Sequence, residues 1–437
     1  MFQNTMRVTV GGEGVVSRRT FLHAAAAGAA GAFGLGALHA EEMKKKGMSC
    51  ILLWMGGGPS QYESFDPKPG HECMGPTKVI DTRVPGLKMA EGWPEMAKVI
   101  DQISLVRSMT SVEPDHPRAT FHLHTGYLPG GGVKYPTFGA SAAAELSKTR
   151  PADFELPHFV AVGNDRSAPK RIGAGFLSQG FAPLLVTDAA KLPTNVALPA
   201  GTTASRFERQ LDLMKKLEAE YAEAGNKQTV DDHRAVYEAA RKLALSPRLK
   251  AFDIAQESQK TRDRYGDTPF GKACLLARRL VQEGVPFIEV QSTHPKASAA
   301  WDTHLKNFEV TRYLVEWVDP AWAALLTDLR EMGLLDRTLV VWMGEFGRTA
   351  KINKDNGRDH QHKAWTLALA GGGVKPGQVI GRTSADGTEV TDRPVTVPDL
   401  LCTFCHALGI DPEKENDTPV GRPIKIVDGG KPVLELF

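Results

Sequence analysis

The chain is poor in cysteine, with five in 437 residues, at positions 50, 73, 274, 402 and 405. That is too few for a disulfide-framed scaffold, and the odd count leaves at least one thiol unpaired in an oxidising compartment. It also lacks a charge excess. With 53 basic and 51 acidic residues the formal net charge is +2, which carries no electrostatic footprint for nucleic acid or an anionic membrane surface. Long hydrophobic runs are missing too, so no stable transmembrane span is expected in the mature chain. No self-similarity recurs at the periods of solenoids or propellers. What remains is a soluble-type composition of a length suited to one large α/β domain.

The N-terminus carries the first positive signal. In VVSRRTFLHAAAAGAAGAFGLGALHA, Ser17-Arg18-Arg19-Thr20-Phe21-Leu22 precedes a weakly apolar Ala/Gly run that ends near Ala40. Paired arginines before x-Phe-Leu match the bacterial twin-arginine export signal. Residues 1–40 are therefore set apart from the fold, the twin-arginine export machinery is an expected partner, and a periplasmic or exported location is expected. Substrates of that route cross the membrane folded, often with a metal or cofactor already bound.

Cys402-Thr403-Phe404-Cys405-His406 is a literal C-x-x-C-H, the attachment pattern of c-type haem. Its context reads differently. Residues 397–409 form one helical pattern, entered near Pro398 and closed by Gly409, with Leu401, Cys405 and Leu408 on a single apolar stripe. The cysteines are accordingly read as packing residues.

Short apolar runs recur along the chain: Ser49 to Gly57, Ile103 to Met109, His158 to Gly163, Pro286 to Ser292, Thr338 to Gly344 and Thr366 to Gly373. Helical patterns separate them, notably Gly271 to Glu283 and Thr311 to Met332. Uninterrupted apolar strands alternating with helices predict an α/β fold, with a mostly parallel central sheet covered by helices on both faces. Residues 204–259 break the alternation with charged amphipathic helices and are read as a helical insertion in a single domain spanning 41–437.

In such a sheet, ligands bind beyond the carboxyl ends of the strands. The first strand is followed by Glu63 and Asp66, and the second by His116, Arg118, Thr120, His122 and His124. The fourth leads to Asp302 and His304, and the fifth to Glu345, Arg348, Asp359, His360 and His362. Carboxylates and imidazoles converging from several strand ends suit a divalent metal: Zn, Mn, Mg or Ca. Asp302 and His304 have a competing reading as helix caps, over which the ligand reading is favoured, while Glu345 with Arg348 reads equally as a structural ion pair. On a helix His122 and His124 project about 200° apart, so they do not both serve as ligands.

Several of these segments resemble known families. WVDPAWAALLTDLREMGLLDRTLVVWMGEFGR resembles the helix and strand that carry metal ligands in the sulfatase branch of the alkaline phosphatase superfamily. HPRATFHLHTGYLP resembles the sulfatase nucleophile helix, and GRDHQHKAWTLALAGGGVKPGQVIG the late histidine segment of that superfamily. GGGPSQYESFDPKPG, YGDTPFGKACLLARRLVQEGVPFIEV, WDTHLKNF, GEFGRT and VGRPI are similar to the exported sulfatase-like family known as domain of unknown function 1501. The departures are specific. Glu345-Phe346 stands where sulfatases carry Asp-His, glycines replace the acidic residues after the first strand, and the nucleophile position falls on His116, which cannot become formylglycine.

The resemblance implies an exported, metal-dependent hydrolase-like protein acting on a small-molecule or glycan ester of phosphate or sulfate. Asp302, His304, Glu345, Asp359, His360, His362, Glu63 and Asp66 are its ligand candidates. Arg118 or Arg348 is expected to neutralise the ester oxygens, and Thr120 or an activated water to attack, in a site that includes His116. The alternative is a non-catalytic relative that binds an anionic glycan or a protein partner.

Overall fold

The computed structural model describes residue 39 and residues 41–130, 132–163, 173–194, 196–198, 201–297 and 299–437. The expected export segment lies outside the described residues, apart from His39. Among the described residues no helix is long and apolar enough to cross a membrane.

The apolar runs become strands of one eight-stranded sheet. In chain order the first six strands of the sheet are β1 (Ser49–Trp54), β2 (Ile103–Met109), β3 (Phe159–Val162), β4 (Leu184–Val186), β5 (Phe287–Gln291) and β6 (Thr338–Met343). A two-stranded hairpin follows, β7 (Gly347–Ile352) and β8 (Arg358–Gln361), and then β9 (Trp365–Ala370) and β10 (Val379–Ile380) return to the sheet. The sheet order is β10-β2-β9-β6-β1-β5-β3-β4. All pairings are parallel except those of β9, which runs against both β2 and β6.

The central strands are apolar throughout because both faces are covered. On β1, Ile51 and Leu53 join one core cluster, while Cys50, Leu52 and Trp54 join the other. On β6, Val340 and Trp342 share the first cluster and Leu339, Val341 and Met343 the second. Each large apolar side chain so buried contributes about 1.5–3 kcal/mol.

Seven longer helices accompany the sheet: α1 (His116–Thr125), α2 (Phe138–Ser147), α3 (Ala204–Tyr221), α4 (Lys227–Leu245), α5 (Pro269–Gln282), α6 (Asn307–Glu331) and α7 (Val397–Leu408). Leu276 and Leu280 of α5 and Leu314, Val318 and Leu325 of α6 pack into the first cluster. Ala119 and Leu123 of α1, Ala140 and Ala143 of α2 and Leu401 and Leu408 of α7 fill the second. Helices α3 and α4 are joined at Gly225, whose φ of +94° suits glycine. Those two helices bury only Leu211, Val230 and Leu243, which matches their charge.

Helix α7 begins in a reciprocal capping box between Thr396 and Asp399 and ends at Gly409 in the left-handed region. Cys402 and Cys405 lie buried in the second cluster, and burial pushes the Cys402 thiol up to about 12.

Candidate metal centre

Because β1, β2, β5 and β6 point the same way, the segments that follow them meet at one edge of the sheet. Helix α1 starts seven residues after β2 and is entered through Asp115, whose carboxylate accepts from Arg118 N, with a proline in its first turn. This sets His116 at the helix start, facing the turns after β1 and β6. Asp302 and His304 arrive on the segment after β5. The β7–β8 hairpin pairs His360 with Arg348, which brings the third imidazole across.

One oxygen organises the cluster. Asp302 Oδ1 lies 3.1 Å from His116 Nε2, 3.3 Å from His304 Nε2 and 3.5 Å from His360 Nε2. His304 Nε2 and His360 Nε2 are 2.9 Å apart, and one donor atom from each of the four residues lies within 4.8 Å of the others.

The opposite ring nitrogens are all taken by oxygens that carry no hydrogen. His116 Nδ1 lies 2.6 Å from Glu345 Oε1, His304 Nδ1 2.8 Å from Asp359 Oδ1, and His360 Nδ1 2.8 Å from the Pro114 carbonyl. Each Nδ1 must therefore hold the hydrogen, so the three Nε2 lone pairs turn towards a carboxylate oxygen. His116 Nε2 is buried and makes no hydrogen bond of acceptable angle.

Four electron-pair donors facing one point repel one another unless a proton or a cation sits between them. A cation fits the spacing: bonds of about 2.0–2.1 Å to nitrogen and oxygen give donor separations of about 3.3 Å in a tetrahedron. A carboxylate or carbonyl behind each ligating imidazole is the usual arrangement at protein metal sites. Three nitrogens and one oxygen suit Zn better than Mg or Ca, which prefer all-oxygen shells.

Electrostatics favour the same arrangement. Burial alone would raise the Asp302 carboxyl, but His116, His360 and the Arg348 guanidinium outweigh it and hold it far below the usual carboxylate range. Burial disfavours charge on His116, yet the Asp302 and Glu345 carboxylates beside it lift it to about 9. A proton thus occupies the site when no cation does, and the two compete. Side-chain exposures of 23–41% across the four residues leave the cluster open to solvent on one side.

The other candidate residues have partners of their own. Glu345 does not face the shared point: besides His116 it accepts from Gly57 N at 3.0 and 3.1 Å, and so fixes the imidazole. Asp359 likewise stands behind His304. Arg348 is fully buried and given over to protein acceptors: its Nε donates to Gly58 O, Nη1 to Arg358 O, and Nη2 to Gly57 O and, at 2.6 Å, to Asp302 Oδ1. It anchors Asp302, with four of its five N–H groups given to acceptors within the protein. Arg118 forms a two-pronged pair with Glu113 at 2.6 Å, away from the cluster.

Glu63 is consumed by Arg358, at 2.8 and 3.1 Å. Asp66 pairs with Lys68 at 2.9 Å and accepts from Thr383. His362 stays outside the cluster, its carbonyl accepting from Ser111 N. Thr120 is buried one turn beyond His116 on α1, on the same face. His116, expected in the site but not among its ligand candidates, joins the cluster; the Asp115-His116-Pro117 helix start after a core strand is its signal in the sequence.

The surrounding backbone is built for close approach. Gly57 has a φ of +109°, and a Cβ there would lie 2.3 Å from Asp302 N. A Cβ on Gly357 would lie 1.8 Å from His304 O. Phe346, fully buried, lies against the His116 and His360 rings at 4.8 and 4.6 Å.

Fold and site together define an α/β protein with a three-imidazole, one-carboxylate cluster at the carboxyl edge of its sheet. The family described as "Protein of unknown function (DUF1501)" matches residues 47–437, and the chain belongs to it. No curated protein matches the chain. Among solved structures it is similar to the lipoteichoic acid synthase LtaP from Listeria monocytogenes (10% identity, 90% of this chain and 80% of that one, TM-score 0.42). It is also similar to the PsFucS1 sulfatase from Pseudoalteromonas sp. (15%, 87% and 72%, 0.41) and to the phosphonate monoester hydrolase of Agrobacterium radiobacter (12%, 89% and 77%, 0.41). Likeness at this level does not bear on activity or substrate.

Proposed function

We propose that this protein is an exported, metal-dependent hydrolase of the alkaline phosphatase superfamily that acts on a phosphate or sulfate ester, delivered by the twin-arginine machinery. The observation that carries the reading is the convergence of three Nε2 atoms on Asp302 Oδ1, with every Nδ1 held by an oxygen. His116, Asp302, His304 and His360 would hold the cation, Zn suiting this donor set. Once bound, it would polarise the ester and neutralise charge that develops on its oxygens.

The chain's own residues prepare that site. Glu345, Asp359 and the Pro114 carbonyl keep hydrogens on the Nδ1 atoms, Arg348 holds Asp302 in place, and Phe346 screens two of the rings from water. Thr120 or a water supplies the attacking oxygen.

A specific observation also favours a second reading. Four protein donors fill a tetrahedral shell, as in structural zinc sites, and both candidate arginines are already engaged. A non-catalytic relative that binds an anionic glycan or a protein partner would have this form. Turnover of aryl phosphates and aryl sulfates by the zinc-reconstituted protein separates the two. Hydrolysis that disappears in Asp302→Ala supports the enzyme; full metal occupancy without turnover of either ester supports the binding protein.

A further inference from the structure

A second concavity lies on the same edge of the sheet. It has a volume of about 480 Å³ and is lined at the ends of β3, β4 and β5 by Gly163, Thr187, Asp188 and Gln291, with Phe270 from α5 and Trp317 from α6. This size falls within the range of small-ligand sites. The segment between Gln291 and Asp302 borders both places, since Thr293 and His294 line the cavity and Asp302 ends in the metal centre. Ligand sites of parallel sheets form where segments diverge in this way beyond the strand ends.

The lining selects a kind of ligand. It offers no uncompensated charge for an anion: Lys272 is paired with Asp267, and Asp188 with Lys191 at 3.1 Å. It is also too polar for a purely apolar guest. Gln291, more than nine-tenths buried, gives one amide hydrogen to Glu289 at 3.1 Å, and an amide has a second hydrogen and an acceptor oxygen besides. Thr187 and Asp188 add a hydroxyl and a carboxylate. Trp317 and Phe270 add apolar lining, with the His294 ring 4.0 Å from that of Trp317. Aromatic lining together with amide, hydroxyl and carboxylate groups matches a ring that has apolar C–H faces and hydroxyls at its edge.

We infer that this cavity binds an uncharged glycosyl ring, the sugar part of an ester whose anionic group is held at the neighbouring metal centre. The inference deepens the hydrolase reading and rests on it for the ester, while the sugar site is testable alone.

The experiment is titration of the purified metal-loaded protein with methyl galactoside, methyl glucoside and N-acetylglucosamine, followed by saturation-transfer NMR and calorimetry, with phenol as an aromatic control. At least one glycoside binds saturably and displaces phenol. Trp317→Ala weakens that binding about tenfold or more, as expected for loss of an aromatic wall. Asp188→Ala, a change on an exposed loop that spares the core, weakens it as well. Absence of saturable glycoside binding, binding of phenol alone, or equal binding by the wild type and both variants overturns the inference. The two readings fail separately. Glycoside binding without ester turnover removes the hydrolase and leaves the sugar site; ester turnover without glycoside binding does the reverse.

Discussion

His116 and His124 stand two turns apart on helix α1, and each directs Nε2 at a carboxylate: His116 at Asp302, 3.1 Å away, and His124 at Glu289, 3.4 Å away. Their surroundings then diverge. His124 gives Nδ1 to Thr120 O of its own helix at 2.9 Å, its ring meets Trp54 edge-on at 4.3 Å, and it is buried in the core. No second imidazole approaches it in the described structure. His116 has Nδ1 on a remote carboxylate, is a quarter exposed, and faces an oxygen that two further imidazoles share. A histidine beside a carboxylate is thus an ordinary buried pair. Donors arriving from separate chain segments, each oriented from behind, make a cation site.

The sharpest way to break this contrast is to remove the shared oxygen. Asp302→Ala is expected to weaken zinc binding by well over about 100-fold, more than the loss typical of orienting residues; competition with a chromogenic chelator measures it. His304→Ala and His360→Ala are expected to follow closely. Glu345→Gln retains the ligands but loosens His116, and a drop of about 10–100-fold is expected in the same assay.

His124→Gln sharpens the comparison from the other side. It is expected to leave zinc affinity unchanged and to cost about 1–3 kcal/mol in urea unfolding, because a buried polar contact is lost. The smallest effect concerns pH. Burial, with Arg150 and Lys242 nearby, pushes His158 down to about 4. The folded state therefore disfavours its protonation. Its contribution to stability is complete above about 6.5 and is lost as pH falls through about 4. His158→Gln is expected to flatten the fall in urea midpoint across that window.

Much of this architecture is written in simple patterns. Six strands follow from apolar runs, because a strand buried on both faces has no room for alternation. Strands β4 and β10 escape such reading, being only three and two residues long. The reversal of β9 is equally silent, since an apolar run carries no direction. At the site, position after a strand end points to Asp302, His304 and His360. It does not tell a ligand from the group behind a ligand. Glu345 and Asp359 look like ligands until the side chains are placed and their oxygens are found at Nδ1. Arg348, Arg118, Glu63 and Asp66 look available until their partners are known; the Glu63–Arg358 ion pair joins residues 295 positions apart and leaves no local mark.

Metal analysis combined with X-ray absorption on the zinc-reconstituted protein tests the central claim most directly. The account predicts one ion per chain in a shell of three imidazole nitrogens and one carboxylate oxygen, lost in Asp302→Ala. Protein that takes up no stoichiometric zinc, or that retains it equally without the Asp302 carboxylate, would contradict it.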